Sequence, residues 1–239
     1  MLQTIAACAL SYGPGVMSKH FSGLWDAIKF EVLNATDDEL STEALETMQA
    51  IATSLSYGLI AIPRPSAAIS KFLKAIVEET LDLLKEPQQK QARPAGQILA
   101  SVAQTGVVPY EYIIKNTLPS LITVFSAAEG ITKQRAMIEV YNQLFVSSAV
   151  VYGEWGEMAT YPTLENPMME FKDKLFEMYS KALMGVNKEE IGFRIVALKG
   201  LGVLSTVRRF FADNEVGMVV QYFNEVVLEN EEDSREELK

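Results

Sequence analysis

Arg93-Pro-Ala-Gly-Gln-Ile-Leu99 joins an arginine to small and apolar residues at the opening of a helical pattern, and the arrangement recurs downstream. It returns as Arg135-Ala-Met-Ile-Glu-Val-Tyr141, as Arg194-Ile-Val-Ala-Leu-Lys-Gly-Leu201 and as Arg235-Glu-Glu-Leu238. The spacings are 42 (135 − 93), 59 (194 − 135) and 41 (235 − 194) residues. Ser41-Thr-Glu-Ala-Leu45 holds the same place one repeat earlier, without the arginine. A period of about 40–47 residues carrying two helices predicts an all-α chain: a HEAT-type (ARM-like) α-solenoid of helical hairpins, roughly five repeats long. The one long interval predicts an inserted loop.

Apolar spacing supplies the hairpins. Phe21, Leu24, Trp25, Ile28 and Val32 form one amphipathic stripe, in a pair beginning at Ser18, and Leu45, Met48, Ala52 and Leu55 form its partner. Ser41 or Asp38 is the expected cap of that second helix. Ile69, Phe72, Leu73, Ile76, Val77, Leu81 and Leu84 make the next first helix, ended by Pro87. Its partner carries Ile98, Leu99 and Val102, and Pro94 places its start near Ala92. The third pair runs from Pro109 to Phe125 and from Thr132 to Tyr152, with Pro119 expected to kink or split the former. Residues 153–167, with Trp155, Tyr161, Pro162 and Pro167, lack periodicity and read as the inserted loop. Phe171, Leu175, Met178, Ala182 and Leu183 then pair with Ile195, Leu198, Leu201, Leu204 and Val207. Val216, Val219, Val220, Phe223, Val226 and Val227 open a fifth repeat. Leu2, Ile5 and Ala9 read as a second helix without its first, and Arg235–Lys239 as the opening of a helix. Residues 1–239 are therefore expected to be a single solenoid segment of a longer protein, with apolar surface at both ends.

Composition narrows the function classes. Hydrophobic residues are 49% of the chain, enough for a continuous core, and the formal net charge is −10, which disfavours direct nucleic-acid binding. The longest apolar runs are too short to cross a membrane. One cysteine, Cys8, excludes an intramolecular disulfide, and one histidine, His20, excludes a multi-histidine metal site. Stoichiometric iron or zinc binding is therefore not expected, and no cofactor is implied. No phosphate-cradling glycine loop occurs. Gly192, Gly200 and Gly202 read as close approaches between helices. No catalytic residues emerge. Met168, Met169, Met178 and Met184 suggest an adaptable groove, but two of them lie on the apolar stripe, so core filling is the preferred reading. Arg93, Arg135 and Arg194 are expected to link neighbouring repeats through an acid or a carbonyl. Trp155 and Tyr161, large aromatics in the inserted loop, are the candidate partner-binding residues.

Ser22-Gly-Leu-Trp-Asp-Ala-Ile-Lys-Phe-Glu-Val32 with Glu43-Ala-Leu45 resembles the methyl-methanesulfonate-sensitivity-nineteen (MMS-nineteen) family. Asn116-Thr-Leu-Pro-Ser-Leu121, Phe171-Lys-Asp-Lys-Leu175 with Lys181-Ala-Leu183, and Gly192-Phe-Arg-Ile-Val-Ala-Leu-Lys-Gly-Leu201 agree with it in order. The resemblance implies a non-enzymatic HEAT-repeat adaptor of the cytosolic iron–sulfur assembly targeting complex, cytoplasmic and nuclear. The implied partners are late assembly factors and apo-proteins of DNA replication, repair and transcription, such as helicases and polymerases. It carries over no partner-binding residue, because the main assembly contact in that family is assigned to repeats further along. Two other readings stay open: a different HEAT scaffold, such as a nuclear-transport or chromosome-organising protein, and an enzyme with carboxylate acid/base chemistry.

Overall fold

The computed structural model describes residues 1–56, 67–153, 164–187 and 189–236, with side chains described as far as residue 228. Its elements are α1 (Leu2–Asn34), α2 (Asp38–Ser56), α3 (Ala67–Leu84), α4 (Ala92–Ala103), α5 (Val107–Ala127), α6 (Ile131–Tyr152), a 3-10 turn (Pro167–Phe171), α7 (Lys172–Met184), α8 (Ile191–Leu204) and α9 (Asp213–Glu236). Among the described residues no strand forms; Gly153 and Val207 make an isolated antiparallel bridge.

The helices stack as an all-α solenoid in two layers. One layer holds α2, α4, α6 and α8, each packed on the next; the other holds α1, α3, α5, the 3-10 turn, α7 and α9. Burial follows the stripes. Phe21, Trp25, Ile28 and Val32 are buried, with Met17 extending the row one turn back. Ile69, Phe72, Leu73, Ile76, Val77 and Leu84 are buried too, and Leu81 is half-buried. An aromatic row ties the layers together: Phe125, Tyr141, Phe145 and Tyr179 follow one another at centroid separations of 6.3, 6.4 and 5.3 Å. Such contacts add to the area they bury through edge and offset geometry.

Residues 2–12 form a helical stretch of their own, as expected: the backbone leaves helical geometry at Gly13 (φ 68°) and a second stretch resumes at Pro14, so α1 is two helices joined at a kink. Glycine tolerates the left-handed value, and proline suits the resumed first turn. Several local expectations are corrected. The cap of α2 is Asp37, whose Oδ1 accepts the Leu40 N–H at 2.8 Å, not Asp38 or Ser41. That bond holds the Asp37 carboxyl below its usual range. Pro119 neither splits nor ends α5. It and Lys115, whose carbonyl loses its partner, lie on the exposed side of the helix, where water satisfies the freed group. In α8 the buried row is Phe193, Arg194, Ala197, Leu198, Leu201 and Leu204, so Ile195 is 41% exposed. Arg235 lies in the last turn of α9 instead of opening a new helix. In α9 only Val219 and Val226 of the expected stripe are buried; Val216, Val220, Phe223 and Val227 stand on the surface. Among the described elements α9 meets α7 and α8, so one side of it packs and the other stays open.

Candidate functional site

The face built by α2, α4 and α6 brings together polar side chains that repeat from helix to helix. Short polar side chains stitch these second helices together. Ser101 Oγ donates to the Leu45 carbonyl at 3.2 Å, Ser147 Oγ to the Ala100 carbonyl at 2.9 Å, and Asn142 Nδ2 to the Val196 carbonyl at 2.8 Å. Gln49 Nε2 reaches the Ser101 carbonyl at 3.3 Å. These bonds fix the register. Ser101 and Ser147 are 46 residues apart (147 − 101), and Gln97 and Gln143 repeat that step (143 − 97), with Gln49 another 48 before (97 − 49).

Two adjoining hollows open on this face. One is bordered by Gln88, Lys90, Arg93, Thr132, Arg135 and Glu139. The other lies across the three helices, among Glu46, Gln49, Gln97, Ser101, Gln104 and Val146. Gln143 borders both. Its Oε1 is buried without a hydrogen-bond partner and lies over Gly96, where a Cβ would stand only 2.3 Å from it. Glycine at 96 is therefore what leaves room for the amide.

The three repeated arginines occupy unlike environments. Arg194 is buried, 4% exposed, and its Nε donates to the Leu183 carbonyl of α7 at 3.0 Å. Arg135 is half exposed, pairs with Glu139 one turn on at 3.3 Å, and lays its guanidinium beside Gly192 at the start of α8. Arg93 is exposed. The 42-residue step between Arg93 and Arg135 falls one helical turn short of the 46-residue register, so Glu139, not Arg135, is the counterpart of Arg93. That offset brings both arginines to the same hollow. Trp155 and Tyr161 lie outside the described residues. Sequence reading passed over the glutamines, although their spacing of 48 and 46 was a periodic signal of the same kind as the arginines.

His20 is exposed and Cys8 half-buried. Among the described residues no group of three or more His, Cys, Asp and Glu gathers as a metal site requires. No described helix is long and apolar enough to cross a membrane. The strongly displaced titrations are core phenols: burial pushes Tyr110, Tyr141 and Tyr179 well up, and Tyr152 up to about 12.

No protein-family model matches the chain. Over 208 residues, 86% of its length, it is 27% identical to the "DNA repair/transcription protein mms19" of Schizosaccharomyces pombe. It is 25% identical over 228 residues, 95% of its length, to the "MMS19 nucleotide excision repair protein homolog" of Xenopus laevis. This chain is similar to MMS19 proteins. The MMS19 protein of Saccharomyces cerevisiae, also named as a DNA repair/transcription protein, extends the similarity, with 22% identity over 95% of the chain. These matches cover 20%, 21% and 23% of the relatives, so the chain spans about a fifth of the MMS19 proteins it resembles. The similarity is not confined to the second-helix layer, because it takes in nearly the whole chain.

Proposed function

We propose that this chain serves as a HEAT-type scaffold segment of a non-enzymatic adaptor acting in DNA repair and transcription. More specifically, it belongs to the machinery that delivers iron–sulfur clusters to apo-proteins of replication, repair and transcription. The observation that carries the reading is similarity to MMS19 proteins over 86–95% of the chain, joined to an open polar face on the stacked second helices. The clusters are cargo of the assembly, passed between other proteins, and the cysteine and histidine content of this segment is in keeping with a holding role. Work in both cytoplasm and nucleus follows from clients of that kind.

Affinity capture with the intact protein tests the proposal. Late iron–sulfur assembly factors together with cluster-dependent helicases and polymerases are the expected partners. Recovery of transport receptors and their cargo, or of chromosome-organising complexes, with no assembly factor, replaces it with the alternative scaffold reading.

A further inference from the structure

The two hollows on the second-helix face form one groove with a cationic end and an amide-lined floor. We infer that this groove is a docking site for an extended acidic peptide segment of a protein partner. Its carboxylates sit at Lys90, Arg93 and Arg135, and its backbone lies along Gln49, Gln97 and Gln143. The inference deepens the adaptor reading above and rests on it.

Charge points to the occupant. The chain as a whole carries −10, yet three cations border one hollow, whose own carboxylate, Glu139, is already held by Arg135. Glu46, exposed at the adjoining hollow, confines the cationic character to the first. Lys90 and Arg93 form no ion pair with any described residue. A guanidinium presents a planar fork that matches a carboxylate, and an exposed arginine with no internal ion pair keeps that fork available. At physiological salt the field of remote carboxylates is screened within about 8 Å, so a short acidic segment senses the local cations. A nucleic acid is the poorer fit, because its phosphates extend beyond the hollow over acidic surface.

Geometry points to an extended backbone. Gln49, Gln97 and Gln143 stand one to a helix on α2, α4 and α6. Packed helices lie about 8–10 Å apart, and an extended chain advances about 3.3 Å per residue, so each glutamine meets roughly every third residue of a peptide crossing them. A carboxamide offers both a donor and an acceptor, the complement of a peptide unit. Gln143 stands at the junction with an acceptor that the fold leaves unused. A small turn of that side chain away from Gly96 presents it to a ligand N–H.

The test uses the 239-residue chain and a fluorescein-labelled decapeptide of alternating glutamate and serine, with a lysine–serine decapeptide and decathymidylate as comparisons. Anisotropy at low salt should show the glutamate peptide binding and the lysine peptide not. Lys90→Glu with Arg93→Glu should weaken it about tenfold or more and flatten its salt dependence. Gln97→Ala with Gln143→Ala should weaken it about threefold and leave the salt slope alone. Melting curves keep folding separate from binding, and hydrogen exchange should show peptide-dependent protection in residues 88–104 and 131–146. Absence of binding, protection elsewhere, indifference to the charge reversal in folded variants, or tighter binding of decathymidylate at the same residues overturns the inference. Partner capture by the intact protein carrying Lys90→Glu and Arg93→Glu separates the two readings. Undiminished capture of assembly factors and clients removes the groove and leaves the adaptor standing.

Discussion

Trp25 donates its indole N–H to Glu79 Oε1 at 2.9 Å across 54 residues of sequence, joining α1 to α3. The same carboxylate is gripped by Lys29, which also reaches Asp26 and sits 5.3 Å from the centroid of the Trp25 ring. Burial opposes the charge on Lys29, but its bonds to Glu79 and Asp26 outweigh that and raise its pKa. Trp25 is 3% exposed and packs edge-on against Phe72. Trp25→Phe should therefore lower stability by about 1–3 kcal/mol, combining a lost bond to a charged acceptor with a small cavity. With Glu79→Gln added, the losses should fall short of additive by more than about 0.5 kcal/mol. Urea unfolding of the cycle measures this, and strict additivity would mean that the indole–carboxylate bond contributes nothing.

The arginines predict a contrast. Arg194→Ala leaves the Leu183 carbonyl without its buried donor and should cost about 1–3 kcal/mol. Arg135→Ala removes a half-exposed helical pair and should change stability by less than about 0.5 kcal/mol. Thermal melts of the two single variants decide it. Equal losses would mean that Arg135 is as deeply tied into the stack as Arg194.

Gly200 sits where α6, α7 and α8 close on one another. A Cβ there would lie 2.1 Å from Asn142 Oδ1 and 2.4 Å from the Tyr179 ring. Those groups are bonded to each other at 2.7 Å, and Asn142 also holds the Val196 carbonyl. Gly200→Ala should destabilise by about 1–3 kcal/mol through overpacking. Gly202→Ala meets only Phe223 at 3.7 Å and should be close to neutral, which makes it the control. A neutral Gly200→Ala would show that the Asn142–Tyr179 pair yields without cost.

The core phenols set an alkaline limit. Unfolded tyrosines ionise near pH 10, whereas burial holds Tyr110, Tyr141 and Tyr179 protonated well beyond that and Tyr152 to about 12. Above about pH 10 the unfolded chain binds fewer protons than the native one, so stability falls as pH rises through that window and is unaffected by these groups below it. Phenolate absorbance and helical circular dichroism, followed together from about pH 9 to 12, should show the buried phenols ionising only as helix is lost. Ionisation of all of them in a fully helical protein contradicts the burial described above.

The helices and their order were legible in the sequence because each buries a stripe against one neighbour, and Phe21–Val32 and Ile69–Leu84 keep that period over several turns. What the stripe cannot carry is the cap, the tolerance of a proline and the register. Asp37 captures α2 because its position, one residue ahead of Asp38, reaches the Leu40 N–H. Pro119 survives because the carbonyl it orphans faces water. The arginines mark helix openings, but the positions that stack are tied by side chains bonding between helices, Ser101, Ser147 and Gln49. Two periodicities thus run through the same residues, and only the second is the stacking register.

Both stems that flank the stretch between α6 and α7 are secured. Gly153 bridges to Val207, and the Tyr152 carbonyl accepts the Arg208 N–H at 3.1 Å. At the far end Asn166, 8% exposed, accepts from the Tyr110 hydroxyl and the Met168 N–H and donates to Ser148 Oγ. With both stems clamped to the stack, the fold fixes where the intervening chain leaves the helices and where it returns. Closing a loop between fixed ends costs only about 0.6 kcal/mol for each doubling of its length. Gly153 and Asn166 are thus held anchor points, and a reporter or an affinity tag spliced between them would enter and leave the stack at fixed ends.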